Sequence, residues 1–392
     1  MVQVFRVPEM TSAGLKNKGK TTADMNERRT AAAEYTKTSL ENIGAISFDA
    51  LAAEKNVENM IGAIQVPLGY VGPYHIKGDY AEGEFLVPLA TTEGALIASV
   101  NRGCSVISRA GGASVKVVKD EMTRAPVFRT RDIRHATEVS EWIEANLARI
   151  KEAAESTTSH GKLLSVMPFP AGRSLHVRFA YETGDAMGMN MATIATEAAA
   201  KLIAQETGAV LISVSGNMCT DKKPAAVNGI LGRGKTIVAD ALIPRALLEE
   251  KMHTTAAATA ETCLRKCAQG SALAGSLGQN AHAANMIAAL YIATGQDPAQ
   301  VVEGSLCMTS CEDLDGDLYI SVRLPAVEVG TVGGGTRLPC QQEALQMIDC
   351  LGPGKAKKLA EIVGAVVLAG ELSTLCAQAA GHLGNAHQQL GR

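Results

Sequence analysis

The spacing of apolar positions along this chain changes several times, and each change marks an element. Residues 1–60 are polar and helix-prone, rich in Ala, Lys, Glu and Arg, with few large apolar side chains. Pro67, Gly69, Gly72 and Pro73 then open a denser region. Residues 126–215 are the most legible. Val127–Thr130 reads as a short strand. His135–Glu155 reads as one helix, because Val139, Trp142, Ile143, Leu147 and Ile150 recur at helical spacing. Lys162–Met167 reads as a strand, with Pro168, Pro170 and Gly172 making the turn after it. Leu175, Val177, Phe179 and Tyr181 alternate, as one face of a second strand does. Met187–Glu206 follows as a helix and Ala209–Val214 as an apolar strand. The order β-α-β-β-α-β is the ferredoxin-like pattern. Neither flank looks complete alone. The chain therefore reads as α+β in three parts: a helical N-terminal segment (1–60), a large α/β domain (61–125 and 216–392), and a ferredoxin-like domain (126–215) inserted into it. From Lys355 onward the sequence reads as helix rich in Ala and Gly.

Composition narrows the function. Of 392 residues, 46% are hydrophobic, which is ample for packed cores, and the net charge is −3. That balance gives no general attraction to nucleic acid or anionic lipid. One Trp and six Phe disfavour a base-stacking surface. The strongest apolar run, Ile362–Gly370, is flanked by Glu361 and Glu371 and falls short of the roughly 20 residues of a spanning helix. No membrane-spanning segment is expected. The N-terminus lacks a secretory apolar core. A cytoplasmic setting is expected, with an organelle matrix, the mitochondrion included, as the alternative. Nine scattered cysteines suit a reducing compartment. Cys263/Cys267 and Cys307/Cys311 have a C-x-x-x-C spacing unlike zinc sites, so small core cysteines are expected and no metal.

Two chemistries compete within Ser215–Thr236 (SGNMCTDKKPAAVNGILGRGKT). Gly229–Thr236 matches the P-loop pattern G-x-x-x-x-G-K-[ST]. A P-loop works only between a strand and a helix, where the helix N-terminus meets phosphate. Here Pro224 and Asn228 precede the glycines, and Ile237–Ala239 looks like strand. A glycine-rich hairpin turning at Gly232 and Gly234 is the plainer reading. The first half sets Asp221, Lys222 and Lys223 soon after an apolar strand. Such lysines suit an oxyanion and a carboxylate, although adjacent lysines are ordinarily a solvated turn.

Three further segments bear on the choice. Ala90–Cys104 carries Glu93 in an otherwise uncharged setting, followed by Asn101 and Arg102. Glu93 is either a proton donor or a helix-terminal acid. Gly184–Met191 (GDAMGMNM) is either a bed for a dinucleotide or a tight turn with Asp185 as helix cap. Gly330–Thr336 (GTVGGGT) either lets backbone approach a flat ligand or is a surface turn. Asp297, ahead of Pro298, reads as an ordinary N-cap.

These stretches resemble 3-hydroxy-3-methylglutaryl-coenzyme A reductase (HMG-CoA reductase), catalytic portion, of the eukaryotic and archaeal class. The resemblance runs from Glu58-Asn59-Met60-Ile61-Gly62 to His387 and includes ATTEG, GDAMGMNM, CTDKKPAA, NAHAAN, GTVGGGT and AAGHL. It implies two hydride transfers from NADPH, turning HMG-CoA into mevalonate and free coenzyme A. It implies Lys222 as the cation at the developing alkoxide, Glu93 as proton donor, Asp297 bonded to both, and His387 as the acid for the departing thiolate. It implies Arg124, Ser215, Lys223 and Lys266 around the substrate carboxylate, with Asn285 and Asp221 nearby. Ser99, Asn101 and Arg102 fall on coenzyme A contacts, and Asp185, Met187, Gly188, Met189, Asn190 and Gly333 on the NADPH side. It also implies a homodimer or dimer of dimers with a site shared between subunits. His382 and His387 are five apart, unlike a zinc pair. Ser105 and His253 stand where many members carry a basic residue for coenzyme A phosphates. Ser159 stands where an arginine meets the 2′-phosphate, with His160 and Lys162 close in sequence. Two other classes stay open at this point: a P-loop NTPase, and a non-catalytic acyl-CoA-binding protein.

Overall fold

The computed structural model describes residues 19–381. Four strands, β4 (Val127–Arg129), β5 (Lys162–Ala171), β6 (Ser174–Glu182) and β7 (Val210–Ser213), form an antiparallel sheet in the order β7-β4-β6-β5. Leu175, Val177, Phe179 and Tyr181 are all buried on one face of β6. They pack with Val139, Ile143 and Ile150, and with Ala192, Ala195, Ala199 and Ile203 of the helix Met189–Thr207. Alanines along that helix let it lie close to the sheet.

Two boundaries differ from the sequence expectation. The single helix is two, Ile133–Ala145 and Leu147–Glu155, broken at Asn146. The Asn146 side-chain amide donates to the Trp142 carbonyl at 2.9 Å and so competes with the helical ladder. Strand β5 runs on through Pro168 and Pro170 to Ala171, and the turn falls at Gly172, where φ is +60°. Proline is tolerated there because β5 pairs only with β6 and its other edge donates to no strand.

The larger sheet has the order β2-β1-β3-β8-β10-β9, formed by β1 (Leu68–Gly78), β2 (Glu82–Ala90), β3 (Ala113–Arg124), β8 (Gly234–Ile243), β9 (Met308–Leu314) and β10 (Asp317–Val327). Strand β3 belongs to both sheets. Ser114–Glu121 pairs with β8, and Met122–Arg124 pairs with β6. Arg124 is thereby delivered to the junction of the two sheets. Helix Ala356–Ala379 packs against the large sheet and against helix Leu96–Arg109. The helices approach so closely that a β-carbon at Gly103 would collide with the Ala369 carbonyl.

Helix Ala356–Ala379 is long and apolar enough to cross a membrane by length and composition, yet 94% of its apolar window is buried in the fold. Glu361 and Glu371 do not interrupt it. Both are fully buried and tie distant loops together. Glu361 accepts N–H bonds from Asp79 (3.2 Å), Tyr80 (2.8 Å) and Ala81 (2.7 Å) in the β1–β2 turn. Glu371 accepts from the Ala281 and His282 amides (2.7 and 2.8 Å) and from the Thr309 hydroxyl (2.8 Å). Replacing Glu361 with Ala orphans three backbone donors. Glu361→Ala is expected to lower unfolding stability by about 3–5 kcal/mol, read as a lower urea midpoint at unchanged slope. A loss below about 1 kcal/mol would contradict this role.

Candidate active site

The loop after β7 is held by the backbone of the junction: the Gly216 amide donates to the Ala125 carbonyl at 2.6 Å. Asn217, Thr220 and Lys222 all adopt left-handed backbone (φ 65°, 64° and 59°). Side chains with a β-carbon disfavour that region, so neighbours must hold them there. Thr220 bonds Asn228 Oδ1 at 2.6 Å, and the Lys222 amide donates to Glu303 Oε1 at 3.0 Å. The Lys222 ammonium meets Asp297 Oδ2 at 3.0 Å. Asp297 also accepts from the Ala299 amide at 3.0 Å, ahead of Pro298. It is both a helix cap and the partner of Lys222.

Lys222 and Asp297 line a cavity of about 830 Å³. Met187, Gly188, Met189, Asn190 and Gly333 line it too, as the sequence reading expects. Asp185 does not. Its two carboxylate oxygens accept the amides of Gly354 (2.7 Å) and Ala356 (3.1 Å), so it caps the long helix rather than its own.

Asp221 faces inward as a counter-ion. Arg233 lies 3.1 Å away, Gln300 Nε2 donates at 3.0 Å, and Arg124 lies at 3.5 Å. Burial pulls its carboxyl upward, but Arg233, Gln300 and Arg124 outweigh this and hold it below the ordinary carboxylate range. The Lys223 ammonium bonds the Asp221 carbonyl at 2.9 Å, and Ser215 Oγ sits 3.5 Å from Cys219 Sγ. Arg124, Ser215, Asp221, Lys222 and Lys223 therefore share one neighbourhood.

The P-loop pattern has the reverse of P-loop topology. Gly229 lies in the helix Ala226–Leu231, and strand β8 follows from Gly234. Lys235 is 2% exposed and pairs with Asp120 at 3.1 Å, while Thr236 bonds the Pro325 carbonyl at 3.0 Å. Among the described residues, the helix next to these glycines precedes them and ends at Leu231, so it offers its C-terminus. The segment is a helix-to-strand connector, not the expected hairpin. At its centre is Arg233, fully buried, with Glu303 at 2.7 Å and Glu328 at 3.1 Å. Sequence reasoning passed over all three. The available signal was a lone acid in an apolar setting at Glu303 and at Glu328; Arg233, two residues from Lys235, gave no such signal.

A second cluster forms around Glu93. Asn285 Nδ2 donates to Glu93 Oε1 at 3.2 Å and lies 3.2 Å from His282 Nδ1. His282 Nε2 meets the Gly370 carbonyl at 2.9 Å, which assigns its proton to Nε2. Lys266 is exposed on the π-helical turn Leu264–Gly270. Asp297 bonds Lys222 but not Glu93 within one chain, and Glu93 does not line the Lys222 cavity. The expected three-way link is thus incomplete in a single copy. On helix Leu96–Arg109, Asn101 accepts the Gly72 amide at 2.8 Å. Ser99 and Arg102 both bond Ser373 (3.0 and 2.8 Å). His382 and His387 lie outside the described residues.

The sequence profile of hydroxymethylglutaryl-coenzyme A reductase matches residues 24–392. The chain belongs to the HMG-CoA reductase family. It is 54% identical over 370 residues to the 3-hydroxy-3-methylglutaryl-coenzyme A reductase of Haloferax volcanii, covering 93% of this chain and 92% of that one. The Methanocaldococcus jannaschii protein of the same name is 56% identical over 348 residues, covering 87% and 86%. Nothing in these archaeal relatives supports a mitochondrial setting. The fold matches the Streptococcus pneumoniae class II HMG-CoA reductase solved bound to NADPH, with a TM-score of 0.70 at 20% identity over 84% of this chain and 89% of that one.

Burial pushes the Glu303 carboxyl up from its ordinary 4.5 to about 7, against the downward pull of Arg233. Between those two values the folded protein holds a proton that the unfolded chain has lost. Stability from this group is full below pH 4.5 and is lost as the pH rises to about 7. Glu303→Gln cannot ionise, so it should gain on the wild type as pH rises. Urea midpoints of both proteins at about pH 5 and about pH 8 check this; a constant difference would contradict it.

Proposed function

We propose that this chain reduces HMG-CoA to mevalonate and free coenzyme A with two NADPH, by a two-step, four-electron reaction in isoprenoid precursor synthesis. The observation that carries the reading is the Lys222 ammonium, fixed 3.0 Å from Asp297 at the edge of the glycine-lined cavity. Part of the same lining fits a dinucleotide phosphate. Helix Met189–Thr207 begins at Gly188 (φ 90°) with no side-chain cap, so its first amides are free to bind an anion. Gly330 and Gly333 supply backbone without side-chain bulk. Met187–Asn190 and Gly333 would hold NADPH, which supplies hydride when bound there.

Lys222 stabilises negative charge growing on the substrate carbonyl oxygen, and Asp297 keeps its ammonium in place. Glu93 delivers the proton that this oxygen takes up. When the hemithioacetal collapses, the C–S bond breaks and the electron pair leaves with sulfur. His387 then protonates the thiolate, a role carried by family resemblance. Arg124, Ser215, Lys223 and Lys266 hold the substrate's free carboxylate. Because Glu93 bonds Asn285 rather than Lys222, the working site takes Lys222 and Asp297 from one subunit and Glu93 from another. That arrangement requires a dimer, or a dimer of dimers.

HMG-CoA-dependent NADPH oxidation is the deciding assay, with NADH in parallel to test Ser159. A P-loop NTPase would instead hydrolyse nucleotide with magnesium, and a non-catalytic acyl-CoA-binding protein would bind without turnover. Lys222→Ala and Glu93→Gln should each lower kcat by about 100- to 1000-fold while the protein stays folded. Near-normal rates in either would refute these roles. Co-expressing the two inactive variants should restore about a quarter of wild-type activity, because random pairing yields dimers with one intact shared site. No recovery in verified mixed dimers would place both residues in a site built within one subunit.

A further inference from the structure

We propose that Glu303, clamped on Arg233, is a positioning residue that holds the Lys222 backbone in its left-handed conformation and so aims the ammonium at Asp297. The inference rests on the catalytic reading of Lys222 given above. A single atom makes the link. Glu303 Oε1 accepts both from Arg233 Nη1 at 2.7 Å and from the Lys222 amide at 3.0 Å. Arg233 in turn fixes the preceding residue, since its Nη2 meets Asp221 Oδ1 at 3.1 Å. One buried guanidinium therefore sets Asp221 through its side chain and Lys222 through its backbone. Lys222 has φ 59°, a conformation its own β-carbon opposes. Its ammonium is half-exposed, and among the described residues the Asp297 carboxylate is what orients it. The backbone bond from Glu303 is what remains to choose the direction of the side chain.

The charges around Glu303 favour a proton shared within the clamp. Arg233 between the connector helix and β8, Asp221 and Lys222 on the loop, Glu328 at the end of β10, and Tyr291 from the helix Ala283–Thr294 all face it. Arg233 meets three carboxylates, of which Arg124 contacts Asp221 alone, while the Lys222 ammonium pairs with Asp297. One guanidinium therefore serves both Glu303 and Glu328. Glu303 Oε2, Glu328 Oε2 and the Tyr291 hydroxyl are all buried without a hydrogen-bond partner among the described residues. Burial raises both glutamates, which favours one proton held between them.

The test uses the full-length enzyme and three variants in HMG-CoA-dependent NADPH oxidation, with NADPH binding and Tm measured alongside. Glu303→Asp keeps a charge for Arg233 but draws the oxygen back from the Lys222 amide. Glu303→Ala removes both contacts. Each is expected to lower kcat about 10- to 100-fold, with both KM values and NADPH affinity within about twofold of wild type. Glu303→Gln keeps an oxygen that accepts from Lys222 and should return kcat to within about threefold of wild type. Should Glu303→Ala fail to fold, the Asp and Gln pair carries the comparison. A folded Glu303→Asp with wild-type kcat, or one whose KM alone rises, overturns the inference while leaving the function intact. Wild-type enzyme without activity overturns the functional reading and this inference together.

Discussion

A fully buried arginine organises this site. A guanidinium out of water is tolerated only when its charge and donors are met, and removing one partner leaves an uncompensated charge inside the fold. Arg233 answers most of this demand through Glu303, Glu328, Asp221 and Gln300, although its Nε has no hydrogen-bond partner among the described residues. Those residues come from the end of β10, the short helices Pro298–Gln300 and Val301–Gly304, and the loop after β7. The need to satisfy one cation thus pins three separate segments together at the junction of the two sheets. Strand β3 brings Arg124 to the same place because it belongs to both sheets.

The geometry divides the chemistry between two clusters. One chain presents Lys222 with Asp297 beside a cavity lined also by the uncapped start of a helix. The same chain presents Glu93 with Asn285 and His282 in a separate cluster, anchored by the buried Glu371 at the base of the long helix. On the proposed function, a reaction that needs a cation and a proton donor at one carbonyl oxygen would take one cluster from each of two subunits. Assembly would then be part of the catalytic apparatus rather than an accessory to it.

Much of the fold was legible because period and burial agree. Leu175, Val177, Phe179 and Tyr181 alternate in the sequence and are buried in the sheet. The P-loop pattern was set aside for a physical reason, the poor strand material before it, and the structure gives the opposite topology with Lys235 buried in a strand. The failures have equally local causes. Asn146 breaks a helix whose apolar spacing runs straight through it, because its amide bonds backward to Trp142. Asp185 looked like a cap for the helix beside it, but its partners lie far along the chain at Gly354 and Ala356. Arg233, Glu303 and Glu328 are distant in sequence and have no shared spacing, so only the fold reveals that they neutralise one another.

Whether this buried cluster sets the direction of Lys222 can be read from a crystal structure of the Glu303→Ala protein. Lys222 is expected to leave the left-handed region and its ammonium to move out of contact with Asp297, while the two sheets remain in place. A Lys222 that keeps its φ near 59° and its 3.0 Å contact with Asp297 would contradict it.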